Sequence, residues 1–273
     1  MCVPVQVWSA GQATRVDDWL AVERPVALVF NGISHAVMMA TPTDLEDFAL
    51  GFALTEGLLH SPAELYGVEV RPVAEGIEVQ LEVASEAAWR LKERRRTLAG
   101  RTGCGLCGTD SLAQVQRQAL HVPFAVSVTP EAVLRAEAGL QAAQAIQKLT
   151  GATHAAGWCS RAGEVLVLRE DVGRHNALDK LVGALVRDRF DIAEGFVAIT
   201  SRASFEMVQK AAMLRAGLLA AVSAPTSLAI DTARASGVAL VGLVRSNRQR
   251  LVAYTYPERL GLTPPGGDPC ALP

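Results

Sequence analysis

The chain has 273 residues, half of them hydrophobic, with five cysteines and a formal net charge of −2. That length and composition allow one large core or two unequal ones, and the near-neutral balance supplies no overall basic field for nucleic acid or an anionic membrane surface. No apolar run reaches the roughly 18 residues of a spanning helix, and Met1–Arg15 lacks the charged and apolar regions of a secretory signal, so a cytoplasmic protein with neither nucleic acid nor membrane as partner is expected.

In chain order, Arg24–Ala40 reads as two short strands, PVALVF and HAVMMA, joined by Asn31-Gly32, a strong hairpin signal. Thr43-Asp44-Leu45-Glu46 has capping-box spacing and predicts a helix carrying Leu45, Phe48, Ala49 and Phe52 on its apolar face and ending near Gly57. VEVRPV and GIEVQLEVA form a second strand pair around Ala74-Glu75-Gly76. The basic run Arg90–Arg96 fits a solvated helix face, or a local cationic surface for an acidic or phosphate-bearing partner.

The run leads into Gly100-Arg101-Thr102-Gly103-Cys104-Gly105-Leu106-Cys107-Gly108-Thr109. Glycine before, between and after the thiols opens backbone conformations closed to other residues, so the segment reads as a loop able to carry sulfur outward. Thr109 or Ser111 can cap a following helix toward Leu120, whose positive dipole end favours thiolate over thiol. Cys107 lies nearer that end and Cys104 nearer Arg101. Phe124–Val128 then predicts a strand, and Thr129-Pro130 a cap with proline at the first helical position, opening an alanine-rich helix that ends at Gly151.

From about Gly163 the pattern alternates. GEVLVLRE, GFVAIT, LLAAVS and VALVGLV read as strands, separated by the helical stretches RHNALDKLVGALV, SFEMVQKAAMLRA and SLAIDTARAS. Near-continuous apolar strands between helices indicate βαβ units and a parallel sheet covered on both faces. The fold class is therefore α/β, with an N-terminal α+β part (1–122, carrying the loop at about 98–110) and an α/β repeat domain (123–273). Ligands of such sheets bind beyond the strand carboxyl ends. Four polar segments fall there: Asp171–Asn176 with Gly173, Arg174 and His175; Thr200–Ser204 with Ser201 and Arg202; Ser223–Ser227 with Ser223 and Thr226; and Arg245–Arg248. Each alone fits a helix cap or a surface charge. Together they form a rim suited to phosphate and to the polar edge of a purine or pterin. His154 fits either a hydrogen-bonded structural role or a place near this rim, and Cys159, beside Trp158, reads as a packing cysteine.

The Cys104/Cys107 pair has several possible uses. A closed zinc site needs four ligands, and the chain has neither a second CxxC nor an HxxxH. A zinc deaminase needs HxE before PCxxC; no histidine here has glutamate two residues on, and Gly103 precedes Cys104. A thioredoxin-like pair would open the helix of a βαβ unit directly, which this loop does not, although dithiol redox exchange stays open. Sulfur carriage as a persulfide fits an exposed, low-pKa thiol with a neighbour able to resolve it. A non-enzymatic nucleotide-binding regulator is the remaining alternative.

RTGCGLCGTDSL, THAAGW, REDVGRHNALDKLVG, TSRASFEMVQKAA and SAPTSLAIDTARASGVALVGLVR, in this order, resemble the formate dehydrogenase accessory sulfurtransferase family (FdhD) over about Pro25 to Leu260. The resemblance implies a cytidine-deaminase-like α/β core without the deaminase metal site, and a homodimer. It implies a sulfur carrier that takes sulfur from a cysteine desulfurase through a cysteine persulfide. The acceptor is the molybdenum or tungsten bis(molybdopterin guanine dinucleotide), bound as substrate before its insertion into formate dehydrogenase, with no permanently bound cofactor and no metal ligands of the protein's own. On the matching positions, Cys104 is the persulfide carrier, Cys107 its companion, and Leu243, Val244, Arg245, Ser246, Asn247 and Arg248 the cofactor-contacting stretch. The segment Gln249–Ala253 is longer than the family pattern, which leaves Arg248 or Arg250 as the second basic contact.

Overall fold

The computed structural model describes residues 1–98, 121–123 and 125–263. They assemble into two units. One takes its described residues from Met1–Arg117, Ala143–Ala156 and Val167–Phe190, the other from Gln118–Ala142, Gly157–Leu166 and Asp191–Pro273.

The first unit begins with β1 (Cys2–Ser9) and β2 (Gln12–Trp19), an antiparallel ribbon in which almost every residue is exposed. No buried face imposes an alternation there, so the hydrophobic pattern does not announce it. A four-stranded sheet follows, in the order β4-β3-β6-β5, from β3 (Arg24–Phe30), β4 (Ile33–Ala40), β5 (Leu65–Val73) and β6 (Gly76–Val83). The expected hairpin joins β3 to β4, with Asn31 and Gly32 both at positive φ (46° and 78°), as a tight turn matched to strand twist requires. The Asn31 side chain also continues the parallel β3–β6 ladder, donating to the Val83 carbonyl at 2.9 Å and accepting from the Val83 N–H at 2.8 Å.

Helix α1 (Leu45–Thr55) packs Leu45, Phe48, Ala49 and Phe52 with Val26, Leu28, Val79 and Leu81 of the sheet in one core. Its start departs from the expected capping box. Asp44 occupies the cap position in the left-handed region (φ 53°), and no side chain caps the helix. Asp44 faces Arg169 at 3.6 Å, while the Thr43 N–H turns back to the Thr41 carbonyl. Helix α2 (Ser85–Leu98) contains the basic run, where Arg90 is paired with Glu64 at 2.8 Å. The cysteine loop and the helix expected after it lie outside the described residues.

The alanine-rich stretch divides into α3 (Pro130–Ala143) and α4 (Ala145–Thr150). Its start follows expectation, with the Thr129 hydroxyl accepting from the Ala132 N–H at 3.2 Å, and Gly151 ends it at φ 68°. The break at Gln144 arises because the buried Glu170 carboxylate accepts from the N–H groups of Ile146 and Gln147 (2.9 and 2.8 Å) and so starts a new helix there. The segment before α3 is a further correction. Val122, Val126 and Val128 are buried in alternation, but Val122 bonds to the Ser236 carbonyl and Val128 to the Arg259 carbonyl, and the described residues of the expected strand Phe124–Val128 join no strand ladder.

A six-stranded sheet runs in the order β12-β11-β10-β9-β7-β8, from β7 (His154–Ser160), β8 (Val165–Asp171), β9 (Gly195–Ile199), β10 (Leu218–Ala221), β11 (Ala239–Arg245) and β12 (Arg250–Ala253). Helices α5 (Arg174–Arg187), α6 (Phe205–Met213) and α7 (Ser227–Ser236) alternate with its strands. Strands β9, β10 and β11 are parallel and almost fully buried, as the βαβ pattern requires. The GEVLVLRE strand does not neighbour them. It is the edge strand β8, turned back from β7 and half exposed. The mixed α/β class expected from the sequence is the one observed.

Within the first unit, α1 and α5 cross at two glycines. A methyl group on Gly51 would overlap the Asp179 carbonyl, and one on Gly183 the Asp47 carbonyl. Beside the crossing, Thr55 donates to Asp179 at 2.6 Å and the buried Asp47 holds Arg169 and Arg187. Replacing glycine by alanine inside an unhindered helix stabilises by about 0.5–1 kcal/mol, whereas overpacking costs about 1–3 kcal/mol. Gly51→Ala and Gly183→Ala are therefore each expected to lower the urea midpoint at unchanged slope. A raised midpoint would mean that the helices do not cross this closely.

Candidate functional site

The carboxyl ends of β9, β10 and β11 bring together three of the four polar segments. The Ser223 N–H donates to the Ser201 carbonyl (3.4 Å), the Thr226 N–H to Ala203 (3.1 Å) and the Leu243 N–H to Ser223 (3.2 Å), with Ala203 and Pro225 paired in a parallel bridge. Ser201 is buried and its hydroxyl donates to the Arg202 carbonyl, while Arg202 is exposed. Thr226 caps α7, its hydroxyl oxygen accepting from the Ala229 N–H at 3.3 Å. Leu243–Arg248 leaves β11 through a backbone with Leu243 at φ 51°, slips register against β12, and closes in a short 3₁₀ turn, Ser246–Arg248. Val244 is buried, and the Arg245 guanidinium folds onto the Val222 and Val244 carbonyls. Asn247 and Arg248 are exposed. The segment beyond the turn is the edge strand β12 rather than an open link, and Arg250 stands in it opposite Arg245.

The fourth segment belongs to the first unit. Asp171 and Lys180 are completely buried and meet at 2.7 Å. Burying such a pair is tolerable only when the remaining donors and acceptors are satisfied, and here they are. Asp171 accepts from the N–H groups of Thr41 (3.0 Å) and Gly173 (2.8 Å) and from the Asn176 side chain (3.0 Å), while Lys180 donates to the Thr41 carbonyl at 2.9 Å. Asn176 donates also to the Met39 carbonyl. This network sets the turn Val172–Gly173 and the start of α5, where Gly173 is the cap residue and no side chain caps the helix. Arg174 and His175 open that helix, close enough to His154 for their charge to act on it. Burial first, then the positive charges of Arg174 and His175, hold the His154 imidazole below its ordinary range.

A profile of the FdhD/NarQ family matches residues 21–261. The chain belongs to the FdhD/NarQ family. It is 58% identical to the sulfur carrier protein FdhD of Variovorax paradoxus, over 96% of this chain and 94% of that one, and 55% identical to that of Bordetella petrii, over 93% and 90%. Among solved structures it matches that of a candidate formate dehydrogenase accessory protein from Desulfotalea psychrophila, with a TM-score of 0.75 and 22% identity over 95% of this chain and 98% of that one.

For this FdhD/NarQ chain, Cys104 and Cys107 lie outside the described residues. The two described cysteines differ from each other: Cys2 is exposed in β1, and Cys159 is buried in β7, where burial pushes its thiol up to about 12 and leaves it unreactive near neutrality. Glu137 belongs beside the strand-end segments although no motif marked it, for its carboxylate accepts from the Ser246 N–H at 2.9 Å. Lys180 lies within the stretch Arg169–Gly183 that carries the family resemblance, yet nothing in the sequence singles it out. Its helical spacing reads as one more charge on α5, and only the fold shows it inside.

Lys180→Met leaves Asp171 buried without its counter-charge and should lower the unfolding free energy by about 3–5 kcal/mol, measured by denaturant titration; a change near zero would mean that Asp171 reaches water. For His154, the unfolded state holds the ring proton more tightly than the folded one, so its contribution is present above about pH 6.5 and lost as the pH falls through the lower folded value. In imidazole NMR titrations, Arg174→Ala should move the His154 midpoint upward. An unmoved midpoint would remove Arg174 as a cause.

Proposed function

We propose that this FdhD/NarQ member is a sulfurtransferase that carries sulfur from a cysteine desulfurase to the guanine dinucleotide form of the molybdenum or tungsten pterin cofactor, before that cofactor enters formate dehydrogenase. The observation that carries the reading is 58% identity, over 96% of the chain, with a relative named sulfur carrier protein FdhD. The Cys104 thiolate attacks the terminal sulfur of a persulfide on the desulfurase. A new S–S bond forms at Cys104 as the donor's S–S bond breaks, and the donor cysteine leaves as a thiolate. Cys107, two residues on, is the thiol that resolves or releases the persulfide.

The cofactor is the substrate to be sulfurated, and its guanine nucleotide arms carry phosphates. Exposed Arg202 and Arg248 supply cations, and Ser246 and Asn247 supply polar groups, at the ends of β9 and β11. Ser201, Ser223 and Thr226 act there chiefly through the backbone that they organise: the Ser201 hydroxyl donates to the Arg202 carbonyl, the Ser223 main chain bonds to Ser201 and Leu243, and the Thr226 hydroxyl accepts from the Ala229 N–H. Gly173, Arg174 and His175 form a second cationic element at the start of α5, a position that favours anions. The protein works as a cytoplasmic homodimer.

The loading step is tested by mass spectrometry of the purified protein after incubation with a cysteine desulfurase and cysteine. One sulfur atom should be gained on Cys104, with Cys104→Ala abolishing the gain and Cys107→Ala retaining it. A Cys104–Cys107 disulfide without added sulfur would instead identify a dithiol oxidoreductase, and an unmodified protein that binds GDP independently of its thiols a nucleotide-binding regulator.

A further inference from the structure

Glu137 lies on α3 with only 3% of its surface exposed. A carboxylate removed from water must find donors, and both of its oxygens have one. One accepts from the Gln141 side-chain amide a helical turn away, and the other accepts from the main-chain N–H of Ser246 at 2.9 Å. Ser246 is the first residue of the 3₁₀ turn Ser246–Arg248, so a buried acid from a distant helix holds the main chain of the segment that the proposed function assigns to the guanine nucleotide.

That segment needs holding. Leu243 and Gln249, on either side of the turn, both sit at positive φ (51° and 48°), and the β11–β12 register slips between Gly242 and Arg245. Left-handed backbone at residues other than glycine costs free energy that surrounding contacts must offset. Three contacts do so. Leu243 donates to the Ser223 carbonyl, the Arg245 guanidinium binds the Val222 and Val244 carbonyls, and Ser246 donates to Glu137. The first two fasten the approach to the turn. Glu137 fastens the turn itself, immediately before exposed Asn247 and Arg248.

We propose that Glu137 is a positioning residue for nucleotide binding. Its carboxylate fixes the Ser246 main chain so that the Ser246 hydroxyl, Asn247 and Arg248 are presented in one arrangement to a guanine nucleotide diphosphate. The Ser246 N–H is already committed to Glu137, so the diphosphate is met by side chains rather than by that amide. The inference rests on the reading of Leu243–Arg248 as the nucleotide-contacting stretch. What the turn needs from residue 137 is an oxygen acceptor at that place, which glutamine supplies and alanine does not.

The test is isothermal titration of the full chain with GDP, for wild type, Glu137→Ala, Glu137→Gln and Arg248→Ala, with the thermal midpoint of each variant measured alongside. Glu137→Ala should weaken GDP binding about tenfold, the scale of one lost hydrogen-bonded contact. Glu137→Gln should stay within about threefold of wild type. Arg248→Ala should weaken binding irrespective of residue 137. A lowered midpoint with unchanged GDP affinity in Glu137→Ala, or equal losses in the alanine and glutamine variants, would overturn the positioning role while leaving the nucleotide reading intact. GDP binding that is absent from wild type, or indifferent to Arg248, would overturn the nucleotide reading and the positioning role with it. If Glu137→Ala does not fold, hydrogen exchange on wild type decides. The Ser246 amide should exchange far more slowly than those of Asn247 and Arg248, and equal exchange would refute the tether.

Discussion

The first unit depends on one buried ion pair. Asp171 and Lys180 have no access to water, and each ties the main chain at Thr41 to the start of α5. Asp171 joins the end of β4, through Thr41, to the first residues of the turn into α5, and Lys180 returns from the second turn of α5 to the same Thr41. An apolar pair of equal volume could fill the space, but it could not satisfy the Thr41 and Gly173 amides. The pair therefore specifies where α5 begins, and with it where Arg174 and His175 stand. The close glycine crossing of α1 and α5 extends the same constraint along the helix.

The second unit solves the corresponding problem with backbone rather than charge. Three parallel strands end side by side, and the loops leaving them are tied carbonyl to amide: Ser201 to Ser223, Ser223 to Leu243, and Ala203 to Thr226. Polar side chains at these strand ends are partly spent on this work, as the Thr226 cap and the folded Arg245 guanidinium show. What remains exposed is a small set in which Arg202, Asn247 and Arg248 are prominent.

Much of this was legible in the residues. The Asn31-Gly32 hairpin, the Thr129-Pro130 helix start, the helix end at Gly151 and the buried parallel strands all follow from local rules of turn chemistry, capping and period, and the structure contains each of them. The departures have a common cause, which is a partner distant in sequence. Glu170 interrupts the alanine-rich helix by capping Ile146 and Gln147, Arg169 lies opposite Asp44 at the start of α1, and the Arg259 carbonyl takes the Val128 amide of the expected strand at Phe124–Val128. Lys180 and Glu137 were illegible for the same reason, because a charged residue at helical spacing looks the same whether it faces water or a buried counterpart. The strand-end segments were visible as polar punctuation after apolar strands, but their mutual bonding was not.

With loading proposed for the cysteine loop and delivery for the strand-end segments, the two should separate by mutation. The decisive measurement is transfer of radioactive sulfur from the desulfurase-loaded protein to the cofactor recovered in formate dehydrogenase, compared between wild type and Arg248→Ala. The variant is expected to load Cys104 to the wild-type extent and to fail in delivery. Full delivery from Arg248→Ala, or labelled cofactor obtained from a protein that lacks Cys104, would contradict it.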